Sequence, residues 1–339
     1  MPTYVSRALR ALSVAALAAA LIPSGASAAD DVVAELRVLT PDSQLEPGAS
    51  YVTNTEKVKT DRKAKCFIAG EGGSGDKVKL PGPTAMGLLA TAGAVNPDVD
   101  PLSATDEFGF GLGLCGIGAA RATTDDYWSL TVNHQAAQVG GDQLTLEDGD
   151  TVLWSLTQFP PPNELELRAG PGAPPGTLEV TVVEWVCSTD FPPPDPVCAE
   201  SPAEGATVLG GDSNVTTGAD GVASVPLSNE QTYELQAQLT GRLDSNTAPV
   251  CVSNEAAACP DPTDPVGRTI RGRRVRDSFA GTGGWDAIRS RGGKDVIDLT
   301  DGGSDRVNCG GAKDKVLLYT EDNDDEIAPN CEKRKRIAH

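Results

Sequence analysis

The sequence predicts a multidomain chain built mostly from strands: an α+β N-terminal domain, a β-sandwich middle domain and a tail of short repeated strands. Three observations predict it. Proline clusters beginning at Phe159 ("FPPPNELELRAGPGAPPG") and Cys259 ("CPDPTDPVG") divide the chain into segments of about 32–168, 174–258 and 266–336. Apolar residues in the first segment follow both strand and helix periods, whereas in the second they alternate between Gly, Asp and Asn turns. In the third, Asp277, Asp286, Asp295, Asp305 and Asp314 succeed one another every nine or ten residues, each two positions ahead of Phe279, Ile288, Ile297, Val307 or Val316.

Residues 1–29 precede all three segments. "MPTYVSRALR" carries two arginines and no acid, "ALSVAALAAALIP" is apolar, and "GASAA" offers small residues for cleavage, the pattern of a secretory signal peptide. No second apolar stretch of about 18 residues follows, so the expected product is secreted and extracellular, without a membrane span. All eight cysteines lie beyond the signal, an even count suited to disulfides in an oxidising compartment. No CxxC spacing argues for zinc. Segment by segment, the expected partners are Cys66 with Cys115 and Cys309 with Cys331, leaving Cys187, Cys198, Cys251 and Cys259 to pair among themselves. The formal charge of −20 resides in the first two segments, since residues 266–339 hold 15 basic and 13 acidic side chains. Such a balance disfavours nucleic acid and anionic membrane surfaces as partners.

In the first segment, "AELRVLT" alternates as a strand does. "PTAMGLLATAGA" reads as a short helix capped by Thr84, with Met86, Leu89 and Ala90 on one face and with Gly87 and Gly93 weakening it. "YWSLTVN" places Trp128, Leu130 and Val132 on one face of a strand that ends in the turn "NHQ". Two further strands are expected in "DQLTLEDGDTVLWSL", with Asp148-Gly149 as a hairpin turn. Strand tryptophans such as Trp128 and Trp154 usually fill a core, which leaves Tyr127, on the opposite face, as the candidate ligand contact. In the second segment "GTLEVTVVEWV", "GATVLGG", "GVASVPL" and "TYELQAQL" read as strands of a small antiparallel sandwich.

The stretches "PTAMGLLATAGA", "DEFGFGLGLCGIG" and "YWSLTVNHQAAQVGGDQLTLEDGDTVLWSL" resemble a domain of secreted bacterial proteins that is similar to the carboxy-terminal domain of the cobalamin carriers transcobalamin and intrinsic factor. The resemblance covers about 32–168 and implies one helix against a sheet. In the carriers a corrinoid is gripped between this domain and a helical barrel that has no counterpart in these segments, so the resemblance does not by itself imply cobalamin binding. "GATVLGGDSNVTTGADGVASVPL" is similar to immunoglobulin-like or carboxypeptidase-regulatory-like sandwiches of bacterial surface proteins, which implies a spacer or adhesion module.

"GTGGWDAIR" resembles the nonapeptide of the hemolysin-type, or repeats-in-toxin, calcium family, with Gly281, Gly284, Asp286 and Ile288 at the motif's places. Later units keep its second half, in Gly293 with Asp295 and Gly303 with Asp305. Asp277 opens the series and Asp325 with Ile327 closes it. The resemblance implies a β-roll-like tail in which two nonapeptides make one coil. Asp277 and Asp295 then stack on one edge and Asp286 and Asp305 on the other, where carboxylates and turn carbonyls suit calcium, a hard cation that takes six to eight oxygens. The repeat is degenerate. Position two is Thr282, Arg291, Asp301 and Gly310, and the register slips once at the Asp301 insertion. Six arginines (271, 273, 274, 276, 289, 291) accompany the acids, so a metal-free roll held by Cys309–Cys331 stands beside the calcium-binding one.

Catalysis lacks parts in this sequence. Of the two histidines, His134 falls in a turn with no nucleophile elbow in the chain, and His339 is the last residue. An aromatic content of 4% leaves little to line a sugar cleft. The expected function is therefore a secreted, modular, non-catalytic binding or structural protein, with calcium as its cofactor and an extracellular ligand or cell-surface component as its partner. Capture of a small, corrinoid-like ligand by the first domain is the alternative within binding proteins, and a carbohydrate-active hydrolase the alternative among enzymes.

Overall fold

The computed structural model describes residues 31–66, 72–190, 194–255, 258–261, 263–320 and 324–338. The expected signal at 1–29 and His339 lie outside the described residues. The chain is β-rich, with several sheets and, among the described residues, one helix.

A nine-stranded sheet forms the backbone of the molecule. Val32–Leu39 sits near its middle, antiparallel to Gln44–Thr53 and parallel to Thr151–Thr157, which is in turn antiparallel to Tyr127–Val132. Asn133 and His134, both at positive φ, then turn the chain into the two-residue edge strand Gln135–Ala136. The helix Ala85–Gly93 covers one face. Thr84 caps it by accepting a hydrogen bond from the Gly87 amide, and Met86 and Leu89 are buried. Ala34, Leu36, Val38, Trp128 and Trp154 meet Leu88 and Leu89 in the core beneath.

The expected strand in "DQLTLE" does not form. The Leu144 carbonyl accepts from the Ala85 amide and the Leu146 amide donates to the Pro83 carbonyl, so this backbone is spent on the start of the helix. Only Thr145 makes an isolated bridge, to Thr84. Asp148-Gly149 is accordingly a turn into Thr151–Thr157 and not the corner of a hairpin.

Two facing sheets make the sandwich. Glu164–Arg168, Gly176–Cys187, Cys198–Pro202 and Val222–Leu227 form one, and Gly172–Ala173, Thr207–Leu209, Val215–Thr216, Gln231–Gln238 and Ala248–Val252 the other. Between them lie Leu165, Leu167, Val180, Val182, Val225, Tyr233, Leu235 and Val250. Glu164–Arg168, which the sequence assigns to the end of the first segment, pairs antiparallel with Gly176–Cys187 and so belongs to the sandwich. Arg37 ties the two modules together. Its buried guanidinium lies 2.7 Å from Glu164 and donates to the Asp244 carbonyl.

The tail is a parallel roll of two sheets. Thr269–Arg271, Ala287–Arg289, Arg306–Asn308 and Glu326–Ile327 form one wall, and Ser278–Ala280, Val296–Leu299, Lys315–Tyr319 and Lys333–Ile337 the other. It is not a separate body. Thr269–Arg271 pairs parallel with Gln44–Thr53, so the first wall continues the nine-stranded sheet, and Val33 and Val52 enter the roll's interior beside Ile270, Ile288, Ile297 and Val316. Docking there satisfies the N–H and C=O groups of an edge strand that would otherwise be open.

Four disulfides join the eight cysteines: Cys66–Cys115, Cys187–Cys198, Cys251–Cys259 and Cys309–Cys331. No helix among the described residues is long and apolar enough to cross a membrane.

Candidate functional site

Each repeat aspartate precedes a short strand, and from Asp286 onward its side chain reaches the backbone of the preceding coil. Asp295 Oδ1 accepts the Asp277 amide at 2.9 Å, Asp314 Oδ1 the Asp295 amide at 2.9 Å, and Glu332 the Asp314 amide at 3.0 Å. On the other edge Asp305 Oδ1 accepts the Asp286 amide and Asp325 Oδ1 the Asp305 amide, both at 3.0 Å. Asparagine would satisfy these amides as well, so the ladder alone does not account for charge. Close coil packing explains the glycines: a Cβ on Gly303 would lie 2.1 Å from the Gly284 carbonyl oxygen, and one on Gly293 2.1 Å from that of Val275.

The two edges differ in what neutralises them. Asp277 is held by Arg273, whose amide lies 2.6 Å from Oδ2 and whose Nε lies 2.8 Å from Oδ1; the same guanidinium pairs with Asp31 and Glu56 of the first module. Burial still pushes the Asp277 carboxyl up to about 6, against the lowering effect of Arg273. A cation thus already reaches the first acid of this edge, while Oδ2 of Asp295 and Oδ2 of Asp314, farther along it, are buried without a hydrogen-bond partner.

On the edge of Asp286 and Asp305 no guanidinium is within salt-bridge distance of the two carboxylates among the described residues, although burial raises the Asp286 carboxyl and the charge of Arg268 acts to lower it. Asp286 accepts from the Arg268 and Thr282 amides and from the Thr282 hydroxyl. Asp286 and Asp305 are 2% and 1% exposed, yet Oδ2 of Asp305 and Oδ2 of the adjacent Asp301 are buried without a hydrogen-bond partner. Burial, reinforced by the neighbouring carboxylates, pushes Asp305 up to about 8 and Asp301 up to about 6. Oxygens of Asp286, Asp301 and Asp305 all lie within 4.8 Å of one another. They converge on one point: a Cβ built on Gly281 would sit 2.6 Å from Asp301 Oδ2, 3.1 Å from Asp286 Oδ2 and 3.2 Å from Asp305 Oδ2. The missing side chain of Gly281 therefore leaves a cradle walled by three acidic oxygens.

Of the residues the sequence selects, Asp286 and Asp305 share this cradle with Gly281. Gly284 packs beside Gly267 in the same coil region. Asp277, Asp295 and Asp314 stack on the opposite edge. Asp301 is the residue that the repeat pattern misses, because it enters as the insertion that breaks register; the ten-residue spacing from Asp295 to Asp305 is its only signal. Tyr127 is half-buried and lines an apolar pocket of the first module. His134 stacks on Trp185 at 4.7 Å, with Nδ1 3.2 Å from Glu164 and Nε2 3.6 Å from Glu166, which puts it at the seam of the first module and the sandwich.

These features define a β-rich, disulfide-bonded, multidomain protein. Within it, residues 113–158 match a family model described as Domain of unknown function (DUF4430), a family linked to transcobalamin-like domains. That stretch holds the strands Gly113–Ile117, Tyr127–Val132 and Thr151–Thr157. No curated protein matches the chain.

Proposed function

We propose that this is a secreted, non-catalytic binding protein whose terminal roll takes calcium between Asp286, Asp301 and Asp305, fastening the tail as an extension of the first module. The observation that carries the reading is the cradle over Gly281, where two buried acidic oxygens without hydrogen-bond partners, from Asp301 and Asp305, and a third from Asp286 surround a point that no side chain fills. Unneutralised, these carboxylates repel one another; a bound divalent cation turns that repulsion into folding free energy. Calcium fits better than magnesium because it accepts irregular oxygen sets and bidentate carboxylates, whereas magnesium demands a near-ideal octahedron. Zinc would call for nitrogen or sulfur donors. On the opposite edge Arg273 already pairs with Asp277, so the reading centres on the edge where three acidic oxygens converge.

Four disulfides support the extracellular setting. The sandwich then serves as a spacer, and the partner is an extracellular ligand or cell-surface component. The test is calorimetric titration of calcium into the full chain after chelation, with Asp301→Asn and Asp305→Asn beside the parent. One saturable site that both substitutions abolish is the expected result. Absence of heat and of any thermal stabilisation at millimolar calcium overturns the reading and leaves the aspartates as turn formers.

A further inference from the structure

A cavity of about 360 Å³ opens in the first module where the sandwich meets it, with Glu164, Cys187 and Leu243 of the sandwich also in its lining and no residue of the roll. Phe108, Phe110, Tyr127, Trp128, Val139 and Trp154 line it. Its walls are aromatic by construction. A Cβ on Gly113 would lie 2.3 Å from the Phe108 ring and one on Gly141 2.5 Å from the Trp154 ring, so both glycines let rings lie flat on backbone. At the rim Phe108 stacks on Phe110, with centroids 5.2 Å apart, although Phe110 is 75% exposed; Val139 is 48% exposed beside it. Inside, Trp128 and Trp154 are 7% and 3% exposed, and both indole N–H groups are buried without an acceptor. Two tryptophans that line one pocket thus carry donors without acceptors, a deficit that a ligand oxygen can correct once a ring turns its N–H toward the cavity.

We infer that this pocket binds a flat, neutral, largely apolar ring compound that brings a carbonyl or ether oxygen to the indole donors. The volume lies at the lower end of the range for drug-sized ligands. Charge sets the rest: residues 30–265 carry 35 acidic against 11 basic side chains, which repels anions, and the one acid of the lining, Glu164, is already paired with Arg37, so the mostly apolar wall disfavours desolvating a cation. This site is independent of calcium in the roll, and neither proposal stands or falls with the other.

The probe is 6-propionyl-2-dimethylaminonaphthalene, a flat neutral ketone whose emission shifts to the blue in apolar surroundings, titrated into the full chain with and without chelator. Saturable one-to-one binding with a blue shift is expected. Val139→Lys and Phe110→Ala weaken it at least tenfold, while Phe159→Ala, equally exposed but outside the lining, leaves it unchanged. Absence of a saturable shift, or unaltered affinity in Val139→Lys and Phe110→Ala, overturns the proposal. 2-Dimethylaminonaphthalene, which lacks the carbonyl, binds more weakly; equal affinity refutes the role of the indole donors. Concentration-dependent dimerisation abolished by Phe110→Ala also overturns it, by making a second copy the occupant.

Discussion

Gly281→Ala tests the cradle with a single methyl group. Gly281 does not have the positive φ that alanine avoids, and the replacement narrows the unfolded ensemble, which by itself favours folding by about 0.4–1 kcal/mol. Against this stands the methyl's approach to Asp301 Oδ2 at 2.6 Å, closer than a real Cβ contact, with Asp286 and Asp305 at 3.1 and 3.2 Å. Asp301 sits on a turn beside Gly302 and can swing outward, so the metal-free variant is expected to stay within about 1–2 kcal/mol of the parent. A cation has no such escape, because the methyl crowds the three oxygens between which it would sit and holds Asp301 away from the other two. At calcium a hundredfold above its dissociation constant the parent gains about 2.7 kcal/mol, and the variant is expected to gain almost nothing. Hydrogen exchange of roll peptides containing Asp286 and Asp305, with and without calcium, reads this locally in the intact chain, where a global melting point would mix three modules. Retention of the full calcium-dependent protection in Gly281→Ala would refute the reasoning.

Four further outcomes are expected. Asp305 titrates at about 8 when folded against 3.8 unfolded, so the folded state holds its proton more tightly; without metal the roll is most stable below about pH 4 and loses stability as pH rises through 8. Chelated protein followed by urea unfolding from pH 5 to 8 checks the sign, and Asp305→Asn, which keeps an acceptor for the Asp286 amide, flattens the decline. Calcium added at pH 7 in weak buffer releases protons, and a titration with no acidification contradicts the raised carboxyls. Arg273→Gln leaves Asp277 and Asp31 without their shared cation and costs about 3 kcal/mol, visible as faster proteolysis at the join between roll and first module. Removing Cys309–Cys331, which closes a separation of 22 residues, costs about 3 kcal/mol and frays Lys333–Ile337 first, measurable by exchange at that strand.

What was legible in the sequence was local. Thr84 announces its helix because a capping hydroxyl and the apolar face that follows lie within one or two turns, and "YWSLTV" announces its strand because period two needs only six residues. "DQLTLE" alternates just as well and forms no strand, since its backbone groups bond to the helix start about 60 residues earlier in the chain. Glu164–Arg168 lies inside a proline-rich stretch that looks like a linker, and its partner begins a dozen residues later. Least legible was the joining of the roll to the first module, where Ser50 pairs with Ile270. No periodicity encodes which of several open edges a parallel strand will choose. In the site, Asp286 and Asp305 followed from the repeat, whereas Asp301 became meaningful only once the coil brought its side chain over Gly281.

The departures from the repeat are themselves informative when placed on the roll. The first unit, "GRRVRD", carries Arg273 at position two, and this arginine reaches Asp277, Asp31 and Glu56 together. A metal there would compete with a guanidinium that is covalently part of the chain and already bonded to both modules. The second unit carries Thr282 at that position, a neutral residue whose amide and hydroxyl orient Asp286 without bringing a charge of their own. Asp301, the insertion, then adds a third acid to the same edge. The departures thus differ between the two edges: at one, an arginine pairs with Asp277 and joins the roll to the first module; at the other, an extra aspartate concentrates charge at a single cradle. If calcium fills that cradle, this degenerate repeat concentrates on one ion what a regular repeat spreads over a row.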